Sequence, residues 1–121
     1  MKKILLITIL FALMATSIFA YSGGNGSETN PYLISSKADM EQLATYVNGG
    51  QTYAGVYFLL TRDLTGESDT IRTIIGQQTT KSYSFNGVFD GGNHKIKVNI
   101  NSQAFTCIFG RIENATIKNL E

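Results

Sequence analysis

Four acidic residues have the chemistry that a sugar-cleaving enzyme requires. Such an enzyme holds two carboxyl groups about 5–10 Å apart across the sugar. Asp63, however, follows a β-rich segment, and Asp90 opens an Asp-Gly pair that is typical of turns, so turn formation explains both residues without catalysis. The four candidates are Asp63, Asp69, Asp90 and Glu113. Because turn formation explains Asp63 and Asp90, we predict a protein without catalytic residues.

The sequence offers few ligands for a metal ion. His94 is the only histidine, and no second His or Cys stands at a spacing that zinc sites use. Asp90 with Asn93, and Glu67 with Asp69, supply only pairs of oxygen ligands for calcium, and the spaced acids of a calcium loop are missing. We predict no metal and no other cofactor.

Tyrosines and the single cysteine complete the reactive side chains. A tyrosine can stack on a sugar ring, but it also packs well inside a fold because its ring is apolar and its tip is polar. Cys107 precedes Ile108 and Phe109, and no cationic residue flanks it. We therefore predict that Cys107 is a small buried hydrophobic residue. The tyrosines considered for sugar stacking are Tyr32, Tyr46, Tyr53, Tyr57 and Tyr83.

The first twenty residues have the pattern of a cleavable secretory signal peptide. Lys2 and Lys3 precede an apolar run over residues 4–15, and small residues lead to Ala20. The run is shorter than the ~20 residues that span a bilayer, so we predict cleavage after Ala20 and export to the cell surface or the medium. The Gly-, Ser- and Asn-rich residues 21–30 are predicted to be a flexible lead-in. Loss of the two lysines leaves a net charge of −1, which offers no basic surface to nucleic acid.

One amphipathic helix is predicted over residues 36–48. Ser36 is a suitable N-cap, and Asp39 stands three residues later, as in a capping box. Asn48-Gly49-Gly50 is a typical helix end. The predicted apolar stripe consists of Met40, Leu43, Ala44 and Val47.

Short β-rich segments follow from residue 56 onward, separated by Gly- and Asn-rich turns. Phe89-Asp90-Gly91 is similar to Ile108-Phe109-Gly110, and the two phenylalanines are 20 residues apart. This period is at the lower end of those found in repeat proteins. The pattern favours a β-solenoid whose first coil the helix would cap, and a compact α+β domain is the alternative. The chain ends within a strand-like segment, 115–120, so we expect it to be truncated.

The order of these segments resembles the opening of bacterial surface proteins with GLUG-type repeats. The resemblance implies a right-handed parallel β-helix in large, exported, adhesin-like proteins. The Gly-Gly-Leu repeats that normally follow are missing. The blocks that carry the resemblance are Asn30–Ile34, Val47–Gly49, Tyr57–Leu64, Ile74–Gly76, Phe85–Ile96, Ile108–Ile112 and Ala115–Leu120.

We therefore expect a mainly β fold, in which residues 31–121 form the N-terminal cap and first coils of a right-handed parallel β-helix. The expected function is that of a non-catalytic surface module for adhesion, or of a structural stalk in a larger surface protein. Its expected partners are host or matrix glycans or proteins, or further coils of the same chain. Two alternatives remain open: the N-terminal part of a carbohydrate-active β-helix enzyme (a polysaccharide lyase or glycoside hydrolase), and a free-standing small β-domain.

Overall fold

The computed structural model describes residues 21–78, 80–100 and 107–121. Four parallel strands form the main sheet in the order β1-β2-β5-β6, and β3 and β4 form a separate antiparallel pair. The elements are β1 (Tyr32–Ile34), α1 (Lys37–Asn48), β2 (Tyr57–Leu60), a 3₁₀ turn (Glu67–Asp69), β3 (Gln77–Gln78), β4 (Ser82–Tyr83), β5 (Val88–His94) and β6 (Thr116–Leu120).

The predicted helix is confirmed as α1. The Ser36 hydroxyl accepts a hydrogen bond from the Asp39 main-chain N–H at 3.2 Å, so one half of the capping box forms. The Asp39 carboxylate turns away from Ser36 and accepts from the Ser35 N–H at 3.0 Å. The helix ends at Asn48, and Gly50 adopts the positive φ of 110° that follows many helix ends. All four residues of the predicted apolar stripe are buried.

The register of the parallel sheet divides its side chains between two faces. Tyr32 pairs with Phe58, Phe58 with Phe89, and Phe89 with Ile117. Phe58 and Phe89 are buried in the core, so this row of side chains points inward. Because successive side chains of a strand point to opposite faces, the neighbouring row points away from the core. That outward row consists of Leu33, Leu59, Asp90 and Lys118.

The core combines the inner face of the sheet, the apolar stripe of α1 and buried residues of the connecting segments, such as Leu64, Ile71 and Phe85. The Phe58 ring lies 5.4 Å from the Tyr21 ring and 5.9 Å from the Phe85 ring. Asn48 fixes the end of α1 by donating to the Ile74 carbonyl at 2.8 Å and accepting from the Gly76 N–H at 2.9 Å.

The prediction of a right-handed parallel β-helix is wrong, and the proposed role of α1 as a solenoid cap is wrong with it. The described residues form a small mixed fold of one helix, a four-stranded parallel sheet and an antiparallel pair. Outside the sheet, parallel contacts are reduced to isolated bridges such as Ile75 with Phe109. Phe89 and Phe109 are therefore not equivalent positions of one repeat, since Phe89 pairs with Phe58 and Ile117. The sequence pattern misled because short strands with regular turns occur in either architecture.

Two local predictions are also wrong. Cys107 is exposed, although two apolar residues follow it in the sequence. The predicted turn at residues 90–93 does not end the strand: β5 continues to His94, with positive φ at Gly92 and Asn93 and a register shift against β6.

The residues directly after the predicted signal peptide contact the sheet. The Ser22 N–H donates to the Leu33 carbonyl at 3.0 Å, and the Leu33 N–H donates to the Gly23 carbonyl at 2.9 Å. Tyr21 itself is buried. The predicted signal peptide, residues 1–20, lies outside the described residues. Among the helices in the described ranges, none is long and apolar enough to cross a membrane.

Candidate functional site

A groove of about 330 Å³ lies on the face of the parallel sheet that points away from the core. This volume is at the lower end of the range for small-molecule sites, which is about 300–1,000 Å³. The groove crosses β2, β5 and β6. Its lining residues are Glu28, Pro31, Tyr57, Phe58, Leu59, Val88, Asp90 and Lys118.

The strand register explains how distant residues come together in this groove. Tyr57 pairs with Val88, and two positions further on Leu59 pairs with Asp90. Asp90 in turn pairs with Lys118 on β6. The alternation along each strand therefore places an apolar floor on β2 and β5, with a carboxylate and an ammonium group towards the edge of the sheet.

Several polar groups of the groove have no partner within the described part of the chain. No hydrogen bond or ion pair joins the Glu28 carboxylate, the Tyr57 hydroxyl or the Lys118 ammonium group to another described residue. Unpaired groups of both charge signs beside an aromatic ring are suited to binding a polar ligand.

One carboxylate oxygen of Asp90 is already hydrogen-bonded within the protein. Its Oδ1 accepts from the Gly92 N–H at 2.9 Å and from the Asn119 side-chain amide at 3.1 Å. The Gly92 N–H is the main reason why the pKa of Asp90 is lowered, and Lys118 adds to the effect. Oδ2 has no hydrogen-bond partner among the described residues. Asp90 therefore stays ionised and offers one free oxygen to the groove.

Asp63 and His94 lie together at the surface. Asp63 Oδ1 accepts from the Lys95 N–H at 3.0 Å and lies 3.1 Å from His94 Nδ1. The Lys95 N–H, followed by the bond to His94, lowers the pKa of Asp63. In the ranges that the structure describes, no nucleophile or second acid is hydrogen-bonded to this pair. The pair ties the end of β2 to the end of β5.

The remaining acidic candidates form separate ion pairs. Asp69 lies 3.3 Å from Arg62, and Glu113 lies 2.5 Å from Arg111. Glu67 lies 2.5 Å from Lys97, whose bond lowers the pKa of the carboxyl group. Of the acids predicted as candidates, only Asp90 lines the groove. Within the described residues, no group of three His, Cys, Asp or Glu side chains could hold a metal ion.

The structure divides the tyrosine candidates among different places. Tyr57 lines the groove, whereas Tyr32, Tyr46 and Tyr53 line a second pocket. Tyr83 belongs to β4 and lines neither of these.

Sequence reasoning missed Glu28 and Lys118. Lys118 occupies a polar position in the alternating segment of β6, which indicates exposure but not its neighbours. Only the parallel register between β5 and β6 places it beside Asp90.

Comparison with protein-family models, with curated proteins and with solved structures found no match to this chain.

Proposed function

We propose that this chain is an exported, non-catalytic module of the bacterial cell surface that adheres to glycans through the groove on the parallel sheet. The observation that carries the proposal is the set of unpaired polar groups around Tyr57: the Glu28 carboxylate, the Lys118 ammonium group and Asp90 Oδ2. Export is supported by the signal-peptide pattern of residues 1–20. Surface location is supported by the resemblance to GLUG-repeat surface proteins.

The chemistry of the groove matches that of a sugar. A pyranose ring has an apolar face that packs on an aromatic ring, and Tyr57 supplies such a ring with a hydroxyl at its tip. Sugar hydroxyls both donate and accept hydrogen bonds. Carboxylates at Glu28 and Asp90 accept from them, and the Lys118 ammonium group donates to them. Hydrogen bonds to charged groups are roughly twice as strong as neutral ones, so a few of them can select a ligand.

The protonation state of Asp90 argues against one catalytic role, that of the general acid. A general acid in glycoside hydrolysis must stay protonated near neutral pH, which requires a raised pKa. The pKa of Asp90 is lowered instead, chiefly by the Gly92 N–H. Asp90 therefore acts as a hydrogen-bond acceptor.

One observation favours a second candidate, a carbohydrate-active enzyme. Glu28 and Asp90 line the same groove, and glycoside hydrolases use two carboxyl groups. Shortening of the glycan would distinguish an enzyme from a module that only binds.

The experiment measures binding of the purified chain to an array of host and matrix glycans, followed by titration of the strongest one. We expect Tyr57→Ala to weaken binding about tenfold or more, since an aromatic contact contributes about 0.5–1.5 kcal/mol beyond its buried area. Lys118→Gln should also weaken it. Tyr83→Ala and Lys81→Gln, which change residues outside the groove, are the matched controls and should bind as the unchanged chain does.

Three outcomes would contradict parts of the proposal. Unchanged binding by Tyr57→Ala would exclude the groove, and a host protein captured in place of a glycan would exclude the ligand class. Shortening of the glycan, abolished by Asp90→Asn, would favour the enzyme. An antibody against residues 21–121 that detects the chain only in the cell interior would exclude export.

A further inference from the structure

A second pocket of about 270 Å³ is lined almost entirely by tyrosine. Four of its five lining residues are tyrosines, and the fifth, Gln51, is an uncharged amide. The volume is below the usual range for drug-sized ligands, about 300–1,000 Å³, so the pocket suits a single head group rather than an oligosaccharide. The tyrosines are Tyr21, Tyr32, Tyr46 and Tyr53.

The rings of this pocket are fixed by the fold. The Tyr21 and Tyr32 ring centroids lie 5.0 Å apart. Tyr21 and Tyr53 both contact the buried Phe58 ring with near-perpendicular planes, at 5.4 Å and 5.0 Å. A ligand would therefore meet rings that are already in place, and binding would cost little ordering of side chains.

Tyr53 is held in an unfavourable backbone conformation. Its φ is 58°, a left-handed conformation that a bulky residue rarely adopts because it is strained. The surrounding contacts hold its ring against Phe58 and its hydroxyl 2.9 Å from that of Tyr21. Strain of this kind is concentrated at binding sites and other functional segments.

Some of the hydrogen-bonding groups in the pocket are already paired within the protein. The Tyr21 and Tyr53 hydroxyls are hydrogen-bonded to each other. Burial raises the pKa of both residues, so neither hydroxyl becomes a phenolate that would attract a cation by its charge. The pocket is therefore lined by uncharged groups, four phenol rings and one amide. It has no carboxylate to pair with the N–H groups of a primary ammonium ion.

We propose that the tyrosine pocket binds a quaternary ammonium group. Such a cation has no N–H to satisfy, and it is attracted to the electron-rich faces of aromatic rings within about 6 Å. Choline is the simplest ligand of this chemistry. The group could be supplied by phosphocholine attached to a glycan or by the head group of a phosphatidylcholine membrane. This inference is independent of the glycan groove, because it depends on different residues.

The test titrates the purified chain with choline and, in parallel, with 3,3-dimethylbutan-1-ol, which has the same shape without the charge. We expect choline to bind and the neutral alcohol to bind at least about tenfold more weakly, since the attraction is electrostatic. Equal binding of the two, or no binding of choline, would overturn the proposal. Maltose is included as a neutral sugar, and its binding in place of choline would assign the pocket to saccharides.

Variants locate the site. Tyr46→Ala should weaken choline binding about tenfold, whereas Tyr46→Phe should retain most of it because the ring remains. Tyr83→Ala, outside the pocket, is the matched control. Circular dichroism of each variant excludes unfolding as the cause. Choline binding that Tyr46→Ala leaves unchanged would overturn the proposal. That result would not bear on the proposal for the groove, since Tyr57 is unaltered in this variant.

Vesicles distinguish the two sources of the ligand. Binding to phosphatidylcholine vesicles but not to phosphatidylglycerol vesicles would identify a membrane surface. Binding of choline and phosphocholine, without binding to either vesicle, would identify a phosphocholine-bearing glycan.

Discussion

Asp63 joins two parts of the chain that are about thirty residues apart in sequence. Its Oδ1 receives both the Lys95 N–H at 3.0 Å and the contact with His94 Nδ1 at 3.1 Å. Asp39 and Asp90 are used in a similar way, since each accepts from a main-chain N–H, that of Ser35 or of Gly92. These carboxylates satisfy backbone donors where regular hydrogen bonding stops, which explains them without catalysis.

Titration can separate the contributions of the two donors to the lowered pKa of Asp63. The Lys95 N–H is the larger cause of its lowered pKa, and His94 is the second. We expect His94→Ala to raise the pKa of Asp63 but to leave it below the ordinary value of 3.8, because the Lys95 N–H remains. The chemical shift of the Asp63 carboxyl carbon, followed by NMR against pH, measures this directly.

The sign of the effect on stability follows from linkage. A depressed folded-state pKa stabilises the fold above the unfolded value, and this stabilisation is lost as pH falls through the folded pKa. For Asp63 this loss of stability occurs below about pH 3.8. His94→Ala should therefore reduce the acid-dependent loss of stability in that window. An Asp63 pKa that does not move in His94→Ala would show that His94 has no part in it.

Helix α1 was predictable because its sequence signals are local. The Ser36 cap and the stripe that includes Leu43 and Val47 lie within one stretch of thirteen residues, and each formed as expected. Strand β5 was not predictable in the same way. The Asp-Gly pair predicts a turn that ends the strand at residues 90–93, yet β5 continues to His94 despite the positive φ of Gly92 and Asn93. Its partner β6 lies far along the chain. The pairing that keeps these residues in the strand therefore cannot be recognised from the neighbouring sequence.

Gly91 shows how closely β6 approaches β5. A Cβ atom on Gly91 would lie 2.3 Å from the Asn119 carbonyl oxygen and 2.6 Å from the Leu120 Cα. Both contacts are with the backbone of β6, which cannot move aside as a flexible side chain would. Gly55 provides the contrasting case, because its φ is 75° and a Cβ there would meet nothing within 4 Å.

We expect Gly91→Ala to destabilise the fold by about 1–3 kcal/mol, as overpacking does, and to expose β6 first. Gly55→Ala should cost about 1–2 kcal/mol through its left-handed backbone alone, without a local effect on β6. Urea unfolding measures the total effect, and hydrogen exchange of the Thr116 and Glu121 amides, which donate to the Gly87 and His94 carbonyls, measures the local one. Equal exchange at β6 in the two variants would contradict the close approach seen here.

The parallel strand register determines which residues line the groove. Sequence reasoning named Tyr57 and Asp90 as candidates, and both line the groove. It missed Glu28 and Lys118, which become neighbours only when strands from distant parts of the chain pair in one sheet. The same reasoning predicted a β-helix, because alternation and regular turns show which face of a strand is buried but not which strand lies beside it.

Tyr21, the residue directly after the predicted cleavage position, is part of the described fold. Tyr21 is 8% exposed, its ring contacts Tyr32 and Phe58, and its hydroxyl lies 2.9 Å from that of Tyr53. The next residue, Ser22, donates its N–H to the Leu33 carbonyl of β1. Cleavage after Ala20 would thus leave the described fold with all of these contacts, whereas cleavage a few residues later would remove them.

We therefore expect a chain that starts at Tyr21 to unfold cooperatively in urea, and one that starts at Gly24 to be less stable by about 3–5 kcal/mol, the usual cost of deleting a large buried aromatic side chain. This loss is a large part of the 5–15 kcal/mol that stabilises an ordinary domain. Tyr21→Phe separates the contributions: it keeps the ring and loses only the hydrogen bond to Tyr53, so it should cost about 1 kcal/mol. Equal stability of the chains starting at Tyr21 and Gly24 would show that Tyr21 is dispensable. In that case cleavage several residues beyond Ala20 would be equally compatible with the fold.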